Sequence, residues 1–190
     1  MRPDESGTLK TPYHLHHRNL EKAMKKITLS LLLFCVSAFV QHVSAQAEAS
    51  FDKILSAYYD IKNALVNDDG KTAASKAAGL EEALGQPPAG QLTAAQQSAW
   101  KEHGSAARAT AQSISQTTDV EKQRGHLAGL SEHLLTMAKA VGMNQSDIYQ
   151  QYCPMKKAYW LSETQAVKNP YYGKKMLACG KTTATLPANK

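Results

Sequence analysis

The sequence predicts an all-α fold: an antiparallel four-helix bundle with an irregular C-terminal cap that contains one short helix. Three observations lead there. Apolar residues recur at helical spacing between about residues 49 and 142, and turn clusters cut that stretch into four segments. The remaining forty or so residues lose the periodicity and gain sulfur, proline and aromatic side chains.

In the first segment Phe51, Ile54, Leu55, Tyr58, Ile61 and Leu65 line one helical face, and Asn67-Asp68-Asp69-Gly70 stops it with turn residues. The second is alanine-rich, with Ala73, Ala77, Leu80 and Leu84 on one stripe, and is broken at Gly85-Gln86-Pro87-Pro88-Ala89-Gly90. The third starts at a Thr93-Ala94-Ala95-Gln96 capping box and runs to about Ser115, anchored by Trp100. The fourth starts at Thr118-Asp119-Val120-Glu121, carries Leu127, Leu130, Leu134, Leu135 and Met137, and closes at Gly142. Short connections between helices of this length favour an antiparallel bundle. In the cap, which spans about 146–181, Ser162-Glu163-Thr164-Gln165 reads as another capping box opening a short helix, and Asn169-Pro170 ends it. Tyr171-Tyr172-Gly173 then reads as a turn.

Not all of the 190 residues are read as fold. Met24-Lys25-Lys26, an apolar run of about fourteen residues, and Val43-Ser44-Ala45 form the three parts of a secretory signal over 24–45, cleaved after Ala45. The polar stretch 1–23 reads as a non-native or extended N-terminal segment, so His14, His16 and His17 leave with the leader. The domain is then 46–190, a single unit large enough to bury a core. No segment in it is apolar for the roughly twenty residues that a membrane span needs. The net charge is +6 over the whole chain and +3 after Ala45, too small to favour nucleic acid. From Gln150 onward there are seven lysines against one acid, Glu163. Export places the chain in an oxidising space.

The chemistry concentrates in the tail. Cys153 with Met155 and Met176 with Cys179 are two clusters of soft donors, and a turn at Asn169-Pro170-Tyr171-Tyr172-Gly173 would fold one onto the other. Thiolate and thioether sulfur select soft ions, Cu(I) above all. His126 and His133 share a face of the fourth helix and supply imidazole nearby. The same two cysteines could instead form a disulfide, closing a loop of about 26 residues for roughly 3 kcal/mol, with the methionines filling the gap between cap and bundle. Catalysis has little support: a phosphate loop, a nucleophile elbow, His-Glu-x-x-His and Cys-x-x-Cys are all missing from the sequence. The chain is therefore read as a non-enzyme.

Tyr152-Cys153-Pro154-Met155, Tyr159-Trp160-Leu161-Ser162, Asn169-Pro170-Tyr171-Tyr172-Gly173, and Met176-Leu177 with Cys179-Gly180 make an uncommon combination. Together with Tyr58 to Asp69 and Gln123 to Ser131, they resemble an exported bacterial domain family of unknown function. That family occurs alone or joined to periplasmic adaptor proteins of heavy-metal efflux systems. The resemblance implies copper or a related soft metal, with Cys153, Met155, Met176 and Cys179 as ligands, His126 as a fifth, and a periplasmic efflux component as partner. One departure is the short, basic Lys156-Lys157-Ala158 after the Cys-Pro-Met, which would oppose a cation unless both lysines point outward.

Overall fold

The computed structural model describes residues 51–87, 92–142 and 144–189. The leader, the extended N-terminal segment, Cys35, and His14, His16 and His17 lie outside the described residues.

Helix α1 (51–66) buries Phe51, Ile54, Leu55, Tyr58, Ile61 and Leu65, the face expected from their spacing. Asp69 caps α2 (Gly70–Leu84) by accepting from the Thr72 N–H at 2.9 Å, and Ala73, Ala77, Leu80 and Leu84 turn inward. The Thr93 capping box opens α3 (Ala94–Ala99), which runs without a break through a π turn (Trp100–Gly104) into α4 (Ser105–Ser115). That π turn has no counterpart in the sequence reading. Helix α5 (Val120–Val141) starts one residue later than the capping-box reading placed it. Its N-cap is Asp119, whose carboxylate takes the N–H groups of Glu121 and Lys122, and it ends at Gly142 with φ 64°.

Cross-links give the helix directions. Tyr58 meets Ser131 while Arg124 meets Leu65, so α1 and α5 run antiparallel. Gln96 reaches the Val141 carbonyl while His103 meets His133, so the α3–α4 rod and α5 do the same. The four helical segments expected from the sequence are present.

The all-α class does not hold. The tail forms a three-stranded antiparallel sheet, order β2-β1-β3, from β1 (Ile148–Cys153), β2 (Ala158–Ser162) and β3 (Lys181–Leu186). The chain is mixed α and β. The expected short helix at Ser162–Gln165 is also absent: Ser162 ends β2 and Glu163 begins a bend. A capping box stabilises a helix only when an apolar helical stripe follows it, and this one is followed by a single valine before Pro170. The strands are rich in Ile, Tyr, Trp and Thr, side chains that suit a pleated, half-buried surface.

The sheet and the helices share one core. Ile148, Cys153, Trp160, Leu161 and Tyr171 join the helical apolar residues. A buried relay fixes the seam: the Leu161 N–H donates to the Tyr58 hydroxyl (3.0 Å), Tyr58 donates to Ser131 (2.7 Å), and Ser131 donates to the Leu127 carbonyl (2.6 Å). No helix among the described residues is long and apolar enough to cross a membrane.

Candidate functional site

Cys153 is the last residue of β1 and faces Ala158 across the hairpin. The turn between them, 154–157, is Pro-Met-Lys-Lys, with Lys157 in the left-handed region at φ 54°. The register of β1 against β3 shifts between Gln150, which faces Ala184, and Gln151, which faces Thr182, so the extra residue is Thr183 and the bulge lies in β3. Along β1, Ile148, Gln151 and Cys153 are buried.

The tail returns to Cys153 through Asn169, which spends every polar atom on the turn. Its backbone N–H donates to Leu177 O (2.8 Å), and its side-chain oxygen accepts from the N–H groups of Tyr171 (2.8 Å) and Tyr172 (3.3 Å). Its side-chain nitrogen donates to the Cys153 sulfur (3.2 Å) and to the Cys179 carbonyl (2.6 Å). One amide therefore ties together the two segments that carry the cysteines.

Two glycines permit the closure. Gly173 has φ 55°, and a Cβ there would stand 2.3 Å from Asp68 Oδ1 and 2.6 Å from an Arg124 nitrogen. Gly180 has φ 147°, and a Cβ there would meet the Trp160 ring at 2.7 Å and the Tyr152 carbonyl at 2.9 Å. A side chain at Gly173 would push the turn off Asp68 and Arg124, and one at Gly180 would push the tail off the hairpin.

Arg124 holds the turn from below. Only 5 % exposed, it donates to the carbonyls of Pro170 (2.7 Å) and Leu65 (2.9 Å) and pairs with Asp68 (2.6 Å) and Glu121 (2.8 Å). The Arg124 hydrogen bond, assisted by the backbone N–H of Lys174, holds the Asp68 carboxyl below its ordinary value. A second tie joins Lys62 on α1, buried, to Glu163 beside β2 at 2.8 Å, with Asn63 bridging both.

The two cysteines are free thiols, and the Asn169 side-chain nitrogen joins them, touching the Cys153 sulfur and the Cys179 carbonyl. Cys153 is fully buried, and its sulfur accepts from Asn169 and from the Lys156 N–H (3.4 Å). Cys179 is half-buried. Burial, with the charge and hydrogen bonding of the neighbouring Cys153, raises its thiol above the ordinary value. Met155 stands at the hairpin tip 63 % exposed, and Met176 on a 3-10 turn (Gly173–Met176) 36 % exposed. The expectation that they fill a gap between cap and bundle is therefore wrong. Lys156 and Lys157 are both exposed, so the basic departure in this loop points to solvent.

His126 is exposed on α5, and among the described residues no three His, Cys, Asp or Glu side chains gather. It does not join the thiols. His133 instead meets His103. The sequence reading missed Asn169 as the hub, the Lys62–Glu163 tie and the reach of Arg124. Asn-Pro signalled a turn, but nothing local showed what its amide would bind. A separate groove of about 440 Å³ between α5 and the hairpin, bordered by Ser131, Glu132, Gln150, Lys157 and Tyr159, includes neither thiol.

The fold and the site together define a helical bundle that carries a paired-thiol turn on an appended sheet. Residues 54–146 match the family described as "Protein of unknown function (DUF3347)". That match takes in the α1 and α5 motifs on which the resemblance partly rests, but it stops before β1, so both cysteines lie beyond it. No curated protein and no solved structure matches the chain.

Proposed function

We propose that this chain is an exported protein that binds a soft transition metal, copper(I), through the sulfur of its C-terminal turns, and buffers it or passes it to a periplasmic efflux component. The observation that carries the reading is the convergence of Cys153 and Cys179 on the one Asn169 amide while both nearby methionines stand in solvent. A thioether that filled space would be buried. Thiolate pairs with thioethers select Cu(I) over hard ions. Cys153 and Cys179 are the anchoring ligands, and Met155 and Met176 the thioethers at the mouth. The Asn169 N–H to the Cys153 sulfur is the kind of outer contact that orients a metal ligand. Anaerobic titration with Cu(I) against a chromogenic chelator should show a single equivalent bound, lost in Cys153→Ser and in Cys179→Ser. Binding that survives both substitutions refutes the proposal.

The same convergence supports a second reading, in which an oxidant takes two protons and two electrons from the pair and a disulfide staples tail to hairpin. The domain would then serve structure or protein interaction. Intact mass before and after reductant separates the two. A two-dalton difference in material that takes up no Cu(I) even after reduction favours the staple.

A further inference from the structure

We propose a second metal site, independent of the sulfur cluster: His103 and His133 form a two-histidine clamp for a tetrahedral divalent ion of the zinc(II) type. His103 sits in the π turn and His133 on α5, and their Nδ1 atoms face each other at 3.5 Å. The ring centres are 5.7 Å apart and the planes are tilted by 36°, so the rings meet through nitrogen edges rather than stacking.

The spacing fits a shared ion better than a shared proton. Hydrogen bonds from nitrogen centre near about 2.9–3.0 Å, and at 3.5 Å little of that energy remains. Two zinc–nitrogen bonds of about 2.05 Å drawn to atoms 3.5 Å apart meet at about 117°, close to the ~109° of a tetrahedron. A square-planar ion would need the nitrogens about 2.9 Å apart.

The π turn explains how the pair arises. It inserts one residue into the α3–α4 rod, which rotates the downstream residues by about 100° relative to an unbroken helix. Trp100 and Gly104 of the turn are buried, and a Cβ on Gly104 would lie 3.7 Å from Met137 Sδ, one helical turn beyond His133. Gly104, with no side chain, lets the rods pack closely beside the two imidazoles. π turns cost helix geometry and recur at functional sites. An exposed glutamate, Glu102 or Glu132, immediately precedes each histidine and leaves negative charge in the neighbourhood. With no third His, Cys, Asp or Glu gathered among the described residues, the remaining positions fall to water or to a donor from another molecule. The site is open, not a closed structural one.

The test uses the full chain with its three cysteines changed to Ser and His14, His16 and His17 changed to Gln, titrated with Zn(II) by calorimetry in metal-free buffer. A single equivalent should bind, and His103→Gln and His133→Gln should each abolish uptake while helical circular dichroism is unchanged. No uptake by the parent, or uptake that survives both histidine changes, overturns the proposal. Should any variant fail to fold, the wild-type chain decides. Long-range nitrogen–proton spectra should show the Nδ1 resonances of His103 and His133 shifting together as Zn(II) is added, and no shift at either overturns the proposal equally.

Discussion

Replacing Arg124 with Met tests whether the cysteine-bearing turn depends on the helices beneath it. The substitution keeps an apolar stem of similar length and removes every donor. The Pro170 carbonyl, served at 2.7 Å, loses its partner in a site where Arg124 is 5 % exposed, while the Leu65 carbonyl keeps the Asp68 N–H at 3.2 Å. Each unpaired buried acceptor costs about 1–3 kcal/mol. Asp68 and Glu121 are 39 % and 72 % exposed and can return to water, so their ion pairs add little. Relief from burying a guanidinium offsets part of the loss, leaving a net destabilisation of about 1–2 kcal/mol. Guanidinium unfolding followed by far-ultraviolet circular dichroism measures it. Because Pro170 adjoins Asn169, the Cys153 thiol should also become far more reactive to an aromatic disulfide reagent under native conditions. A loss below about 1 kcal/mol with Cys153 still protected would refute the claim that Arg124 supports the thiol turn.

The same contacts predict other outcomes. Tyr58→Phe orphans the buried Leu161 N–H and should cost about 1–3 kcal/mol in the same assay, so a neutral result contradicts the relay. Glu163→Ala strands a nearly fully buried ammonium at Lys62 and should cost about 1–3 kcal/mol, since the 38 % exposed glutamate site admits water, whereas Lys62→Met should come within about 1 kcal/mol of wild type. Burial lowers the Lys62 ammonium more than its partner restores. For Glu163, burial pushes the carboxyl up, but the Lys62 and Asn63 hydrogen bonds outweigh it and the net shift is downward. Asp68 is lowered too. Folded values below unfolded ones mean that the stability from both acids is complete above about pH 4.5 and is lost as pH falls through the folded values. Denaturation midpoints should therefore drop below about pH 4, and less steeply in Arg124→Met, where the Asp68 share is already gone.

The helices were legible because burial and spacing agree: Ala73, Ala77, Leu80 and Leu84 are a stripe in the sequence and a buried stripe in the fold. The sheet was not legible, for physical reasons. β1 buries Ile148, Gln151 and Cys153 at uneven spacing, and β3 carries a bulge and is exposed along most of its length, so neither strand shows a two-residue period. The capping-box pattern at Ser162 then pointed the wrong way. The doubling back of the tail was readable from Asn169-Pro170 and the paired Cys–Met spacings, and the structure returns the Cys179 backbone to the Asn169 amide that also holds the Cys153 sulfur. Their support was not readable: Asn169, Arg124 and Asp68 act over separations of tens of residues and leave no local signature.

X-ray absorption at the copper edge, on the reduced chain loaded with one equivalent of Cu(I), examines the central claim most directly. A first shell of sulfur at metal–thiolate distance, lost in the Cys153→Ser variant, is the predicted result. A shell built from nitrogen and oxygen, or one indifferent to that substitution, would contradict it.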